Sequence, residues 1–252
     1  GNPLYNWDAM KKENYSWWMS RIKMLLKMVD YVRIDHFRGF DAYWSVPYGE
    51  KTAVHGKWMP GPGSDFFHQV EKTLGNIPIL AEDLGLITDS VRKLRDEFEL
   101  PGMKILQFAF DENEAGRGGF CNPFLPHMYS KNCIVYTGTH DNDTLQGWLT
   151  NATQSEKNLV TAYLGIDEKD CKNKCADGTV FRELIRLALS SVASWAIIPM
   201  QDIFMLGSQC RMNMPSTTGG INWQWRMTEE MFDSEKAAWL KKYGILYGRN
   251  MI

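Results

Sequence analysis

Three acidic residues stand where an apolar run gives way to polar chain: Asp35 after Tyr31-Val32-Arg33-Ile34, Glu82 after Ile77-Pro78-Ile79-Leu80-Ala81, and Asp141 after Cys133-Ile134-Val135-Tyr136-Thr137-Gly138-Thr139-His140. Short apolar runs of this kind predict strands, so each acid is expected at the C-terminal end of one. Alternation along the first run puts Arg33 and Asp35 on the same face. The run reads as a buried strand, and a charged pair on its buried face must be neutralised, because an isolated buried ion costs several kcal/mol. For this pair alone, a purely structural bridge is as good a reading as a functional one.

The acids are separated by 47 and 59 residues, one or two strand–helix units each, so three carboxyls can meet above one sheet end. Cleaving a glycosidic bond with retention needs a carboxylate nucleophile and a protonated carboxylic acid about 5–5.5 Å apart. Arg33 would keep Asp35 ionised, as a nucleophile requires. Glu82 follows a wholly apolar strand, and desolvation there would raise its pKa and suit it to protonating a leaving oxygen. Asp141, beside His140, could hold sugar hydroxyls in the transition state. Two other readings stand beside this one. Any of the acids could cap a helix, and Asp143-Thr144 looks like such a cap. The acids could also be oxygen ligands of Mg²⁺ or Ca²⁺, which the neighbouring Arg and His make less fitting.

Net charge is −2, with 28 basic and 30 acidic residues spread without long runs, which argues against nucleic acid or an acidic membrane surface as partner. A neutral, hydroxyl-rich molecule fits better, and ten Trp, ten Tyr and twelve Phe include candidates for stacking on sugar rings. Five cysteines (Cys121, Cys133, Cys171, Cys175 and Cys210) have no disulfide-framework spacing. They point to a reducing compartment, cytoplasmic or plastidic according to the source. Cys171 and Cys175 flank a polar tripeptide with no further metal ligands near them. No apolar run approaches the about 20 residues of a membrane span. The opening Gly1-Asn2-Pro3-Leu4-Tyr5, with no initiator Met, reads like the middle of a protein.

The positioning elements follow in alternation. A helix is expected over Glu13–Met28 with Trp17, Ile22, Met24, Leu25 and Met28 as its apolar stripe. Strands are expected near 30–37, 77–82, 103–110, 133–139 and 196–202. Helices are expected over 64–74, 90–99, 154–164, 181–195 and 234–243, and a long loop over 40–63. Strand–helix alternation with polar C-terminal strand ends predicts an α/β fold, and specifically a (β/α)8 barrel. The competing doubly wound sheet lacks its glycine-rich phosphate fingerprint. Five strands of eight imply that residues 1–252 form a single catalytic-barrel portion, the C-terminal one, with the N-terminal strands absent from this chain.

At these residues the sequence resembles a known family. Arg33-Ile34-Asp35-His36-Phe37-Arg38-Gly39, Ala81-Glu82-Asp83-Leu84-Gly85 and Gly138-Thr139-His140-Asp141-Asn142-Asp143-Thr144 are similar to three motifs of the 4-α-glucanotransferases (amylomaltases, or disproportionating enzymes) of glycoside hydrolase family 77. Gly1 to Tyr5, Lys57-Trp58 with Gly61-Pro62-Gly63, Leu106 to Phe110, Pro199 to Asp202 and Arg211-Met212-Asn213 fit as well. The resemblance implies a retaining transglycosylase that cuts an α-1,4-glucan and passes the glycosyl segment to the 4-hydroxyl of another. It assigns Asp35 as nucleophile, Glu82 as acid/base and Asp141 as transition-state stabiliser. Arg33 and His140 would touch the nucleophile and the donor sugar, and Asn213 and Phe108 would lie toward the acceptor. It implies no cofactor and no metal. The expected partners are maltooligosaccharides and other α-1,4-glucans, together with the N-terminal part of the same protein. Cys171 to Gly178 looks like an insertion. The alternatives are an α-glucan hydrolase and, from another class, a non-catalytic glucan-binding fragment.

Overall fold

The computed structural model describes residues 3–75, 78–112 and 122–249. The expectations that rest on Gly1-Asn2, on Asn76-Ile77, on the acidic glycine-rich loop up to Gly119 and on Cys121 lie outside the described residues. The chain is α/β and divides into two compact units, residues 1–103 and 104–252.

In the first unit, α1 (Trp7–Lys12) starts where the Asn6 side chain accepts the Ala9 amide at 3.1 Å. The helix expected over Glu13–Met28 is present but shorter at both ends. Asn14 and Tyr15 both take left-handed backbone, with φ of 51° and 52°, and α2 (Ser16–Leu25) starts afresh after them. Tyr15 accepts that conformation because its ring is buried and its hydroxyl donates to Asp65 Oδ2 at 2.7 Å. Along α2, at 100° per residue, Met19 and Ile22 face the core. Trp17 falls about 140° and Met24 about 160° away from Ile22. The expected stripe is therefore split: Ile22 is buried, whereas Trp17, Met24 and Met28 are exposed.

Two parallel strands, β1 (Val32–Ile34) and β4 (Ile79–Ala81), pair in the register Val32↔Ile79, Arg33↔Leu80, Ile34↔Ala81. Between them, the stretch expected as a loop holds an antiparallel hairpin, β2 (Ala42–Ser45) with β3 (Lys57–Pro60), pinned by the cross-strand pair Trp44–Trp58. Gly61 is needed where the hairpin returns, since a Cβ there would meet the Phe40 carbonyl oxygen at 2.2 Å. Then come α3 (Gly63–Leu74), burying Phe66, Phe67 and Val70, and α4 (Asp89–Glu97), capped by Thr88. The core of this unit joins Met19, Ile22, Ile34, Phe37, Phe40 and Phe66 with Val91 and Leu94.

The chain passes into the second unit within β5 (Gly102–Ile105), which ends earlier than the expected strand. Leu106–Ala109 winds into a 3-10 turn, and its buried Leu106 and Ala109 recur at that period. β5, β6 (Cys133–Tyr136) and β7 (Trp195–Ile197) form one sheet in that order, with β6 and β7 parallel. The four residues of β6 are all buried. Helix α5 (Leu145–Asn151) is capped by Thr144, and α6 (Gln154–Leu164) by a Thr153–Glu156 capping box. After the short α7 (Cys171–Ala176), α8 (Thr179–Ser190) lays Val180, Phe181, Leu184, Ile185 and Ala188 into the second core. The brief α9 (Met200–Ile203) follows β7, and α10 (Ser234–Leu246) is capped by Asp233.

Candidate functional site

In the first unit, the paired stretches end at Ile34 and Ala81, so Asp35 and Glu82 are the next residues on neighbouring parallel strands. Such strands run about 4.8 Å apart, so the two acids are near neighbours along the backbone. Glu82 is the more enclosed of the two. Its Oε2 accepts the His36 amide at 2.7 Å and its Oε1 the Leu84 amide at 2.9 Å. Burial raises its pKa above the usual glutamate range. The two amide hydrogen bonds and the charge of His36 pull it down, and the charge of Asp35 pushes it up. His36 holds left-handed backbone (φ 48°), which a non-glycine residue adopts only when its surroundings enforce it; here that bend presents its amide to Glu82.

Arg33 Nη2 donates to Asp35 Oδ1 at 3.2 Å, so the pair shares a face as alternation requires, but that face is not buried. Val32 and Ile34 take the core side, and the Asp35 side chain is 76% exposed. The reason is the length of β1: three residues suffice to bury Val32 and Ile34, and Asp35 lies past the last paired residue. Both charged residues line an open cleft of about 390 Å³ with Trp7, Trp18, His36 and Tyr43. The neighbouring Asp83 has a different task. It binds Arg95 and accepts the Met103 amide at 2.7 Å, fixing the strand end rather than facing the cleft.

In the second unit, His140 and Asp141 lie on the loop between β6 and α5. Asn213 Nδ2 donates to Asp141 Oδ1 at 2.7 Å, His140 Nε2 lies 3.4 Å from Asp141 Oδ2, and the Asn213 amide donates to the His140 carbonyl at 3.0 Å. Two residues passed over as site candidates join this group. Arg211 donates to the Asp141 carbonyl and, through Nε, to the Asn213 carbonyl at 2.7 Å. The Trp223 ring sits 5.1 Å from that of His140. Arg211 was legible as a neighbour of Asn213, but nothing local to Trp223 signals its place. Phe108 is not gathered in: its ring meets Phe124 edge-on at 5.3 Å.

One buried acid supports this loop. Asp202, 1% exposed, accepts the Thr137 hydroxyl at 2.6 Å and the Leu145 amide at 2.7 Å, and burial pushes its pKa up to about 6. Among the described residues, no cluster of three or more His, Cys, Asp or Glu is arranged to hold a metal ion.

Paired carboxylates at the C-terminal ends of parallel strands, one of them shifted toward its protonated form, are groups able to carry out acid/base and nucleophilic chemistry on an α/β scaffold. A family model described as 4-alpha-glucanotransferase, of glycoside hydrolase type 77, matches residues 1–233, and the chain belongs to that family. A 4-alpha-glucanotransferase of Synechocystis is 50% identical over 253 residues, covering 100% of this chain and 47% of the relative. A chloroplastic/amyloplastic 4-alpha-glucanotransferase of Solanum tuberosum is 47% identical, over 99% of this chain and 41% of the relative. The solved amylomaltase of Streptococcus agalactiae in complex with acarbose superposes with a TM-score of 0.88 at 37% identity, over 98% of this chain and 47% of that one. The chain spans about half the length of the curated relatives it matches.

Proposed function

We propose that the protein is a retaining 4-α-glucanotransferase acting on maltooligosaccharides and other α-1,4-glucans, and that residues 1–252 are one catalytic-barrel portion of a (β/α)8 fold. The observation that carries this reading is the Asp35–Glu82 pair: two carboxyls side by side on parallel strand ends, the more enclosed one with a raised pKa and the more exposed one beside Arg33. In the first step the Glu82 carboxyl protonates the glycosidic oxygen while Asp35 attacks the anomeric carbon, giving a glycosyl ester on Asp35 and releasing the shorter glucan. In the second, the Glu82 carboxylate removes the proton from the 4-hydroxyl of an acceptor glucan, which displaces Asp35. The motif gives Asp141 the part of transition-state stabiliser, and it is already oriented by Asn213 and His140. Arg33 and His140 serve the donor side, and Asn213 and Phe108 the acceptor side.

No cofactor enters this scheme. No helix among the described residues is long and apolar enough to cross a membrane. We place the enzyme in the cytoplasm, or in the plastid if the source is a plant or alga.

Incubation of the complete protein with maltotriose, with products separated by length, tests the reading. Glucose accompanied by maltopentaose and longer sugars is expected. Shorter sugars alone would make the protein a hydrolase, and glucan binding without any product would make it a binding protein.

A further inference from the structure

Among the described residues, two cysteines face each other. Cys171 and Cys175 lie one helical turn apart on α7, with Sγ atoms separated by 4.0 Å. Cys133, by contrast, is buried in the core of its unit. The thiol pair lines a cleft of about 370 Å³ with Thr150, Gln154, Lys157, Lys172 and Phe181.

We propose that Cys171 and Cys175 form a reversible dithiol/disulfide site that exchanges with an anionic low-molecular-weight disulfide of the glutathione type.

Three observations carry the proposal. The first is reach. Positions four apart in a helix have Cα atoms about 6 Å apart, inside the 4.4–6.8 Å window of disulfides. The sulfurs need only approach from 4.0 Å to a bond of about 2.05 Å. The second is compliance. Helical Cβ atoms at this spacing stand about 5–6 Å apart, more than a relaxed disulfide has, so closure must unwind the turn. α7 has only six residues, none of them buried, and can give way. A bond formed against such resistance and open to solvent belongs to the readily reduced kind. The third is recognition: Lys157 and Lys172 set two cations in the same cleft as the thiols, suited to the carboxylates of a glutathione-like disulfide.

The order of attack follows from the groups around Cys175. Partial burial, together with the charge of Cys171, pushes its thiol up to about 11; Lys157 opposes this and Asp177 adds to it. Cys175 is therefore the poorer first attacker, which leaves the opening attack to the Cys171 sulfur, reacting as its thiolate. That thiolate attacks one sulfur of the incoming disulfide, forming a mixed disulfide and releasing one thiolate, which takes up a proton. Cys175 then gives its proton to solvent and attacks the Cys171 sulfur, expelling the second small thiolate, which is protonated in turn. Two electrons and two hydrogens pass from the cysteine pair to the small disulfide, and a small dithiol reverses the exchange.

The complete protein, reduced and freed of reductant, should be exposed to buffers of graded glutathione/glutathione disulfide ratio, quenched by alkylation and mapped by peptide mass. The expected product has lost two hydrogens across Cys171 and Cys175, and dithiothreitol restores it. Cys175→Ser should halt at a mixed disulfide on Cys171, and Lys157→Gln should slow exchange with glutathione disulfide several-fold more than exchange with uncharged hydroxyethyl disulfide. The proposal is overturned if both thiols stay alkylatable where the denatured chain reacts, or if wild type accumulates the same mixed disulfide as Cys175→Ser. Equal slowing of both disulfides by Lys157→Gln would remove the recognition half. None of these readouts depends on glucan turnover.

Discussion

Leu145, the first residue of α5, donates its amide hydrogen to Asp202 Oδ1 at 2.7 Å, while the other oxygen of the same carboxylate takes the Thr137 hydroxyl at 2.6 Å. Thr137 and Leu145 bracket the loop that carries His140 and Asp141, so one buried carboxylate clasps both of its ends. The segment after Asp202 then supplies Arg211 and Asn213 to the same Asp141.

Replacing Asp202 with Ala should therefore leave two buried donors unmatched and loosen the loop. Each orphaned group costs about 1–3 kcal/mol. A fall in kcat larger than the change in KM is expected, together with a lower denaturation midpoint. Unchanged kinetics in a correctly folded variant would separate the clasp from the chemistry.

The raised pKa of Asp202 also fixes the sign of a pH effect on stability. A carboxyl whose folded value is about 6, against an ordinary value near 4, binds its proton more tightly in the native state. Its contribution is fully present below about pH 4 and is lost as pH rises through about 6. Denaturation midpoints measured from pH 4 to 7 should carry this decline in wild type and lack it in Asp202→Asn.

Asp35→Asn should bring transfer to background while preserving glucan binding, measured by product separation and calorimetry. Near-normal turnover would sink the nucleophile assignment.

Glu82 must enter the first step protonated. Its raised pKa therefore places the alkaline limb of the kcat/KM profile above the ordinary glutamate range. Glu82→Gln should remove that limb and cost about 10²–10⁴-fold on natural glucans. A donor with a good leaving group should still load Asp35, since it needs no proton, and the trapped ester is observable by intact mass.

Asn213→Ala should remove one hydrogen bond to a charged oxygen, a loss of about 1.5–3 kcal/mol, or roughly ten- to a hundred-fold in kcat/KM if Asp141 acts in the transition state. Wild-type rates in this variant would argue that Asp141 keeps its pose through Arg211 and His140 alone.

Period and spacing along the chain were enough to determine the alternation of strands and helices, the apolar character of β4 and β6, and the placing of Asp35 and Glu82 just past strand ends, whereas β6 stops at Tyr136 and leaves Asp141 five residues on in the loop. Those features depend on neighbours two to four residues away, which a linear pattern records. Tertiary structure alone decided that α2 begins only at Ser16, because the left-handed Tyr15 before it is held by a core and by Asp65, fifty residues on. It decided that the Arg33–Asp35 face opens to solvent, since which side of a strand is covered depends on what packs there. It brought Arg211 and Trp223 to the His140-Asp141 loop across some seventy to eighty residues, and it turned Asp202 from one more strand-end acid into a buried clasp. Burial and long-range hydrogen bonds set those roles, and neither is a property of local sequence.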